Sequence, residues 1–584
     1  MPAAPVSTAL AAATLAFAAW AIHFVRRRRI VFHLGRNGAG LTPAFMLCLA
    51  LVGLKLGEST GSLAAMCGFV VALHAAACVF AARTSKRTLR LPRWSNIELG
   101  SVIFVAAFVV AIPLADSACH NYIISAYLRG NIPPSASNAP HVPLPYHGLY
   151  DALVAVVVRG LPVDFELGMD LATVGLLVVV VLNMRAVARE LFSNDRVRAW
   201  AVVFFLLAFG PSFIRVFSEG LMGLHGRMAQ VYPDLIRRRP MVLSHALGSF
   251  VIAVLLPYAK RKAFARPRLW LALPAVWLLP YASEEMLLFV GALTLPLVVR
   301  KRLPWPPVVA ASAVLLLGLW GAQVFSSGTL IDSEVVFRPQ PGLAWPLTLP
   351  YWKATQAGLP LVSWRGVQLL LEELGPVFAI SLGYIAWRGS LPQRLLLLPF
   401  AAGFAVAAAI NLGPWPKGDM DRFCFFSVNL VFFTAPAWLV PLYEKRPARW
   451  TKVAVVSLLA ATLTSGIVYP TWRGITKARS WSHAWQEQPG LELRAALTKV
   501  ARREVVLSDE RMSQTLVSAG FVVVAPMMRN YLNDVDETNF DDYAKRHQHE
   551  ADWWFLPADD ARVAQRHNAA EAVLSGYVLL RPPR

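Results

Sequence analysis

Charge and cysteine are both scarce in this chain. Only 16% of its 584 residues are Asp, Glu, Lys or Arg, against 56% hydrophobic residues and a mean hydropathy of +0.49. A water-soluble fold of this length needs more polar residues to cover its surface, so a soluble globular enzyme is excluded and lipid is the solvent for most of the chain. The five cysteines, Cys48, Cys67, Cys78, Cys119 and Cys424, show no paired spacing, which argues against a zinc site or a disulfide framework. Acidic residues are the scarcer sign, 35 against 56 Lys and Arg, giving a net charge of +21. Nucleic-acid binding would need a basic face on a folded domain, whereas here the cations cluster between apolar runs, which argues against it.

Those clusters are Arg26 to Arg29, Arg83 to Arg93, Arg185 to Arg198, Lys260 to Arg268, Arg300 to Arg302, Arg388 to Arg394 and Lys445 to Lys452. Short basic loops stay in the cytoplasm, because moving them across the bilayer is disfavoured during insertion. Apolar segments are expected near 8–25, 42–58, 62–82, 97–115, 167–184, 199–214, 241–259, 269–282, 286–299, 306–325, 369–387, 395–411, 423–443 and 453–469. About fourteen spans place every basic cluster on one side and both termini on the other. The pair 269–282 and 286–299 is short for crossing, which takes roughly 20 residues, and is compatible with a re-entrant hairpin. The first span reads as an uncleaved anchor, since its basic residues follow the apolar run instead of preceding it. Cys119 and Cys424 then share the outer face, where the redox environment permits a bridge.

All the long loops are external on this topology: Asp116 to Glu166, Arg215 to Pro240, Ser326 to Gly366 and Gly413 to Arg422, followed by a tail from Tyr469 to Arg584. Long loops are uncommon without a reason, so chemistry is expected at the outer face. The division is 1–96 as N-terminal transmembrane helices, 97–470 as a transmembrane core with external loops, and 471–584 as an external domain. The tail alternates helices near 490–502, 510–518, 537–549 and 559–574 with strands at Glu504 to Leu507, Phe521 to Ala525, Trp553 to Leu556 and Tyr577 to Leu580. Such alternation predicts a small parallel α/β layer. It contains no G-x-G-x-x-G or Walker loop, so nucleotide binding is not indicated.

The first external loop opens with Asp116-Ser117-Ala118-Cys119-His120 and closes with Pro145-Tyr146-His147-Gly148-Leu149-Tyr150-Asp151. A carboxylate at the membrane mouth, followed by histidines and prolines, makes a rigid polar loop over apolar helices; the plainer alternative is that Asp116 is a solvated helix end. In the late loop, Gly413-Pro414-Trp415-Pro416-Lys417-Gly418-Asp419-Met420-Asp421-Arg422, Lys417 and Arg422 sit at headgroup level beside a helix N-terminus, a suitable grip for a lipid phosphate. Asp419 and Asp421 could instead neutralise them as a surface cluster. Arg227 and Arg237, Arg238 and Arg239 depart from the positive-inside tendency, and an anionic substrate or lipid headgroups would explain them. His245 follows this stretch, and Glu284 and Glu285 occupy the turn of the short hairpin. No H-E-x-x-H or comparable spacing marks a metal site, although Asp116, His120 and Glu284 could meet in space around a divalent ion.

In this layout, a span ending in Asp116, an external loop after it, further external loops and an external tail, the chain from about Ile97 onward resembles the glycosyltransferase C superfamily. Those polytopic transferases take a sugar from a polyprenyl-phosphate carrier at the outer face. The Trp-Trp-Asp signature of oligosaccharyltransferases is absent, since Asp552-Trp553-Trp554-Phe555 has another order, and the three spans before Ile97 have no counterpart in the minimal family core. The resemblance implies a bacterial inner-membrane enzyme with a periplasmic tail, a polyprenyl-phosphate sugar donor and direct displacement at the anomeric carbon. It puts the base on Asp116, with Asp151 as second choice, and substrate contacts on His120, Tyr146, His147, Arg227, Arg237 to Arg239, His245, Glu284, Glu285, Lys417, Asp421 and Arg422. Exposed Trp345, Trp352, Trp364 and Trp415 would suit sugar stacking or an interfacial aromatic belt. Two rivals stand beside it: a transporter or flippase, which would favour ionisable groups at mid-bilayer and repeated helices, and an assembly protein whose tail binds a partner.

Overall fold

A computed structural model describes residues 3–27, 38–84, 94–111, 120, 123–124, 127–128, 132–136, 139–143, 148–161, 163, 165–210, 239–260, 267–282, 285–322, 337–339, 364, 374–412, 422–445, 448–478, 493, 497–500, 504–509, 512–513, 515–516, 521–524, 545, 548–564, 572–574 and 576–582. The protein is mostly helical. Its main helices are α1 (Ala3–Arg27), α2 (Gly38–Glu58), α3 (Leu63–Thr84), α4 (Asn96–Ala111), α5 (Leu149–Gly160), α6 (Phe165–Leu191), α7 (Asp195–Leu207) and α8 (Arg239–Leu255). They continue with α9 (Glu285–Val299), α10 (Trp305–Gly321), α11 (Gly375–Arg388), α12 (Leu397–Ala409), α13 (Arg422–Phe432), α14 (Pro436–Lys445) and α15 (Arg449–Ala478).

Among the described residues seven helices are long and apolar enough to cross a membrane: Gly40–Glu58, Leu63–Phe80, Leu167–Leu191, Met241–Lys260, Leu391–Ala409, Phe426–Lys445 and Arg449–Trp472. This is half the expected fourteen. Four further expected segments are shorter apolar helices, Thr8–Phe24, Asn96–Ala111, Glu285–Val299 and Trp305–Gly321. Of the last three, 199–214 and 369–387 correspond to α7 and α11, of 13 and 14 residues. Segment 269–282 is interrupted, running as Pro267–Trp270, Leu273–Leu278 and a 3-10 turn at Leu279–Tyr281, with prolines at 267, 274 and 280 that remove backbone donors.

The centre of the bundle is α8, which is buried throughout its apolar stretch. It packs on α2, α5, α6 and α9. Asn183 of α6 donates to the Ala246 carbonyl and to Ser249 Oγ, both at 3.0 Å, tying the two helices together without an ionised group. Helices α2 and α3 form a tight hairpin because Gly53 and Gly57, four residues apart, turn bare backbone toward the partner helix. A Cβ at Gly53 would lie 2.7 Å from the Val70 nitrogen, and one at Gly57 would collide with the Met66 backbone. The connecting turn closes on Gly61 in the left-handed region, φ +66°, a conformation that suits glycine after a helix. Helix α4 opens on a capping box: Glu98 accepts from the Ser95 backbone and hydroxyl, while Ser95 Oγ accepts from the Glu98 amide.

Contacts between residues distant in sequence join helix ends assigned to one face. At the end carrying the basic clusters, Arg185 Nε lies 3.1 Å from Glu98 and its guanidinium 4.2 Å from the Trp94 ring, Arg196 pairs with Glu444, and Lys260 donates to the Glu190 carbonyl. At the opposite end, strands β1 (Ser135–Ala136) and β2 (Ala139–Pro143) pair, as do β3 (Phe337–Pro339) and β4 (Ile410–Leu412). The polar pairs of the next subsection lie at that end too.

The tail holds a five-stranded sheet in the order β6-β5-β7-β9-β8, formed by β5 (Val505–Ser508), β6 (Val522–Val524), β7 (Trp553–Pro557), β8 (Ala572–Leu574) and β9 (Tyr577–Leu580). Strands β5, β6 and β7 are parallel, as expected, but β9 runs antiparallel between β7 and β8, so the sheet is mixed. Within the expected helix over 559–574 the described residues form one helical turn, Ala561–Ala564, and the strand β8. The reason is local: Gly576 has φ +80° and lets β8 turn straight back into β9, which antiparallel strands permit and parallel ones do not. Two apolar clusters cover the sheet, one around Leu497, Val506 and Trp553, the other around Leu507, Trp554 and Val578. Trp553 and Trp554 are therefore core residues of the tail.

Candidate functional site

Two buried histidine–carboxylate pairs lie at the end of the bundle opposite the basic clusters. Asp151 stands in the first turn of α5, where the helix dipole favours negative charge, and its Oδ1 accepts from His120 Nδ1 at 2.9 Å. Neither side chain is more than 1% exposed. The Tyr150 ring meets the His120 ring edge-on at 6.1 Å, and its hydroxyl is held by the Met169 carbonyl and Thr173 Oγ1 on α6. The contact holds the imidazole and the carboxylate in a fixed mutual orientation, as a histidine–carboxylate pair at a site of proton transfer requires.

Next to this pair sits a carboxylate in an unfavourable place. Glu58 is the last residue of α2 and is buried, although the negative end of a helix dipole disfavours an anion. Two neighbours offset that cost. Tyr127 donates to Glu58 Oε1 at 2.6 Å, and Lys55, one turn earlier, pairs with the other oxygen. Burial, the Glu58 charge, the hydrogen bond to Glu58 and the Asp151 charge all push the Tyr127 phenol well above its usual range, so it is a neutral donor lying between two carboxylates. It reaches them because Gly148, the residue before α5, leaves room: a Cβ there would lie 3.3 Å from the Tyr127 oxygen.

Lys55 also faces Tyr281. Its ammonium lies 4.7 Å from the centre of the Tyr281 ring, and the chain reaches Glu285, at the start of α9, four residues later. Glu285 Oε1 accepts from His245 Nε2 at 2.8 Å, both side chains being fully buried, and Ser244 Oγ approaches the same oxygen at 3.4 Å. Glu285 Oε2 has no hydrogen-bond partner among the described residues. The His245 ring packs at 4.6 Å on Phe426, one helical turn after Arg422 in α13. The central helix α8, which carries His245, touches the helices that bear Asp151, Glu58 and Glu285.

No protein-family model matches this chain, and a comparison with curated proteins finds no match.

Of the expected site residues, the structure brings His120 to Asp151 and His245 to Glu285, pairings that sequence separation concealed. Glu285, expected in a polar turn, is instead sealed inside the bundle. Arg239 and Arg422 open α8 and α13 at the same end. Asp116, Tyr146, His147, Arg227, Arg237, Arg238, Glu284, Lys417 and Asp421 lie outside the described residues, as do Trp345, Trp352, Trp415 and Cys119; Trp364 is exposed. Among the described residues no three His, Cys, Asp or Glu side chains gather as a metal site, and His120 of the trio with Asp116 and Glu284 already engages Asp151. Glu58, Lys55, Tyr127 and Tyr281 were not foreseen. A signal for the first two existed: Lys55 and Glu58 are charges at the outer end of an otherwise apolar span, with a connection too short to carry them into water.

Proposed function

We propose that this chain is a membrane glycosyltransferase of the glycosyltransferase C type, with about fourteen membrane segments, in a bacterial inner membrane with its tail in the periplasm. On this reading it moves a sugar from a polyprenyl-phosphate carrier to an acceptor at the outer face. The observation that carries the reading is the buried His120–Asp151 pair beside the Tyr127–Glu58 contact, an oriented base at the end assigned to the outside. The acceptor hydroxyl gives its proton to a carboxylate, Asp116 or, as second choice, Asp151 held in place by His120. Its oxygen bonds to the anomeric carbon as the bond from that carbon to the phosphate oxygen breaks, and polyprenyl phosphate departs. Lys417, Arg422 and the Arg237 to Arg239 run would stabilise the phosphate charge, as oriented cations do in a water-poor site.

A second reading, a transporter or flippase for a lipid-linked or polar solute, draws on a different aspect of the same groups. Ionisable pairs sealed between helices are also how proton-coupled carriers are built. The two readings separate in reconstituted vesicles given a panel of polyprenyl-phosphate hexoses and pentoses. A transferase releases free polyprenyl phosphate and loses that release in Asp116→Asn or Asp151→Asn, while Arg422→Ala raises the donor concentration needed. Movement of intact donor across the vesicle wall, with no phosphate ester broken, would favour the carrier.

A further inference from the structure

Three successive segments of the bundle are too short for an ordinary bilayer. The interrupted segment over 267–281 and helix α9 each cover 15 residues, and α10 covers 17. At 1.5 Å per residue α9 and α10 are about 22 and 26 Å long, against a hydrocarbon core of about 30 Å. Their ends are set by capping. Helix α9 stops at Lys301, φ +51°, where Lys301 and Arg302 amides return to the Val298 and Leu297 carbonyls. Helix α10 starts after Pro304 and ends with the Ala322 amide on the Gly318 carbonyl. The interrupted segment packs along α10, and its 3-10 turn at Leu279–Tyr281 also touches α9. Gly318 brings α10 against the Trp277 carbonyl.

The outer surface of this sector is apolar and open. Leu295 and Val299 of α9, and Leu316 and Leu317 of α10, are 65%, 71%, 63% and 58% exposed. Tryptophans mark both ends of α10: Trp305 is 69% exposed and Trp320 79% exposed. Tryptophan prefers the headgroup level, so a pair on one helix rules off the local membrane thickness. Fifteen residues separate them, about 22 Å along the axis, and any tilt shortens the crossing further. Basic Arg300, Lys301 and Arg302, in the α9–α10 turn, mark the same boundary as Trp305.

We infer that the face formed by 267–281, α9 and α10 contacts lipid directly and holds the bilayer there roughly 8 Å thinner than the ordinary core of about 30 Å, which the 24-residue apolar stretch Arg449–Trp472 of α15 is long enough to span. The partner is the acyl region of the membrane. A second copy of the chain would not need tryptophans at both rims with branched and aliphatic residues between them. The thinning lowers the outer headgroup layer toward the end of the bundle where Glu285 opens α9. The inference requires that the hairpin sits in lipid; it does not depend on sugar transfer.

The test places a spin-labelled unnatural amino acid in the full chain at Ala313, midway along α10, and in a second sample at Ala460 of α15, leaving the native cysteines in place. Each protein is reconstituted in dioleoylphosphatidylcholine vesicles, and depth is read from the ratio of collisions with oxygen and with a water-soluble nickel chelate. A label at Ala313 should lie about 11 Å from the nearer headgroup level and one at Ala460 about 15 Å, half of each local thickness. Equal depths would overturn the inference. So would a label at Leu316 that oxygen cannot reach, since the face would then be covered by protein. Both readouts are independent of activity, so a failed transferase assay and a failed depth measurement remain distinguishable.

Discussion

Replacing Asp151 with Asn separates the chemical from the structural work of the His120 pair. Both partners are sealed from water, so solvent does not screen their contact. Asn keeps the size and one carbonyl oxygen that can still accept from His120 Nδ1, so the bond survives but loses its ionic character. Charge-assisted bonds contribute about 1.5–3 kcal/mol against about 0.5–1.5 for neutral ones, which puts the loss of stability near 1–2 kcal/mol. Losing an oriented base costs about 10² to 10⁴ in rate, roughly 3–5 kcal/mol of barrier. His120→Ala should cost the rate as well, and by taking a donor from a buried carboxylate it should also cost about 1–3 kcal/mol of stability. The assays are release of polyprenyl phosphate by protein in vesicles and thermal unfolding in detergent. An Asp151→Asn protein that turns over within threefold of the parent, with unfolding lowered as calculated, would leave the pair a structural clamp and refute its role as base.

Tyr127→Phe removes the donor on Glu58 while leaving the ring, and should destabilise the fold by about 1–3 kcal/mol through an under-satisfied buried carboxylate, read as a lower unfolding temperature that Glu58→Gln partly restores. At the opposite end, Arg185→Met should cost about 3–5 kcal/mol by removing the counter-ion of buried Glu98, and the double change with Glu98→Gln should recover most of it; no recovery would show that the Trp94 contact dominates. In the tail, burial opposes ionisation of Asp560, but hydrogen bonds and charge from Arg562 outweigh it and hold the carboxyl below its usual range. A lowered folded value contributes stability above the unfolded range that is lost as pH falls through it. Amide exchange across 553–564 should therefore be faster in Asp560→Asn at neutral pH, with the difference from the parent vanishing in acid.

The apolar runs were legible because lipid imposes an unbroken demand on them, and the parallel strands because Val505 to Leu507 and Val522 to Val524 are short valine-rich runs. The strand Ala572–Leu574 was not. It follows Ala569, Ala570 and Glu571, all good helix formers, and only the turn at Gly576 and pairing with β9 pull it into the sheet. The site divides similarly. His120, Asp151, His245 and Glu285 stood out singly as polar residues at apolar ends, but which histidine meets which carboxylate depends on helix packing. The Tyr127–Glu58 contact spans 69 positions, and no local pattern announces it.

The bare backbone of α2 has a consequence for that contact. Glu58 follows Gly57 directly, so the spacing between α2 and α3 also sets where the carboxylate stands. A single methyl at Gly57 would wedge the two helices apart and carry Glu58 and Lys55 away from Tyr127 and Tyr281 without altering a polar atom. The charge arrangement at the outer end is thus tuned by the girth of a residue that takes no part in it, and variation at position 57 would be selected as though it were chemistry.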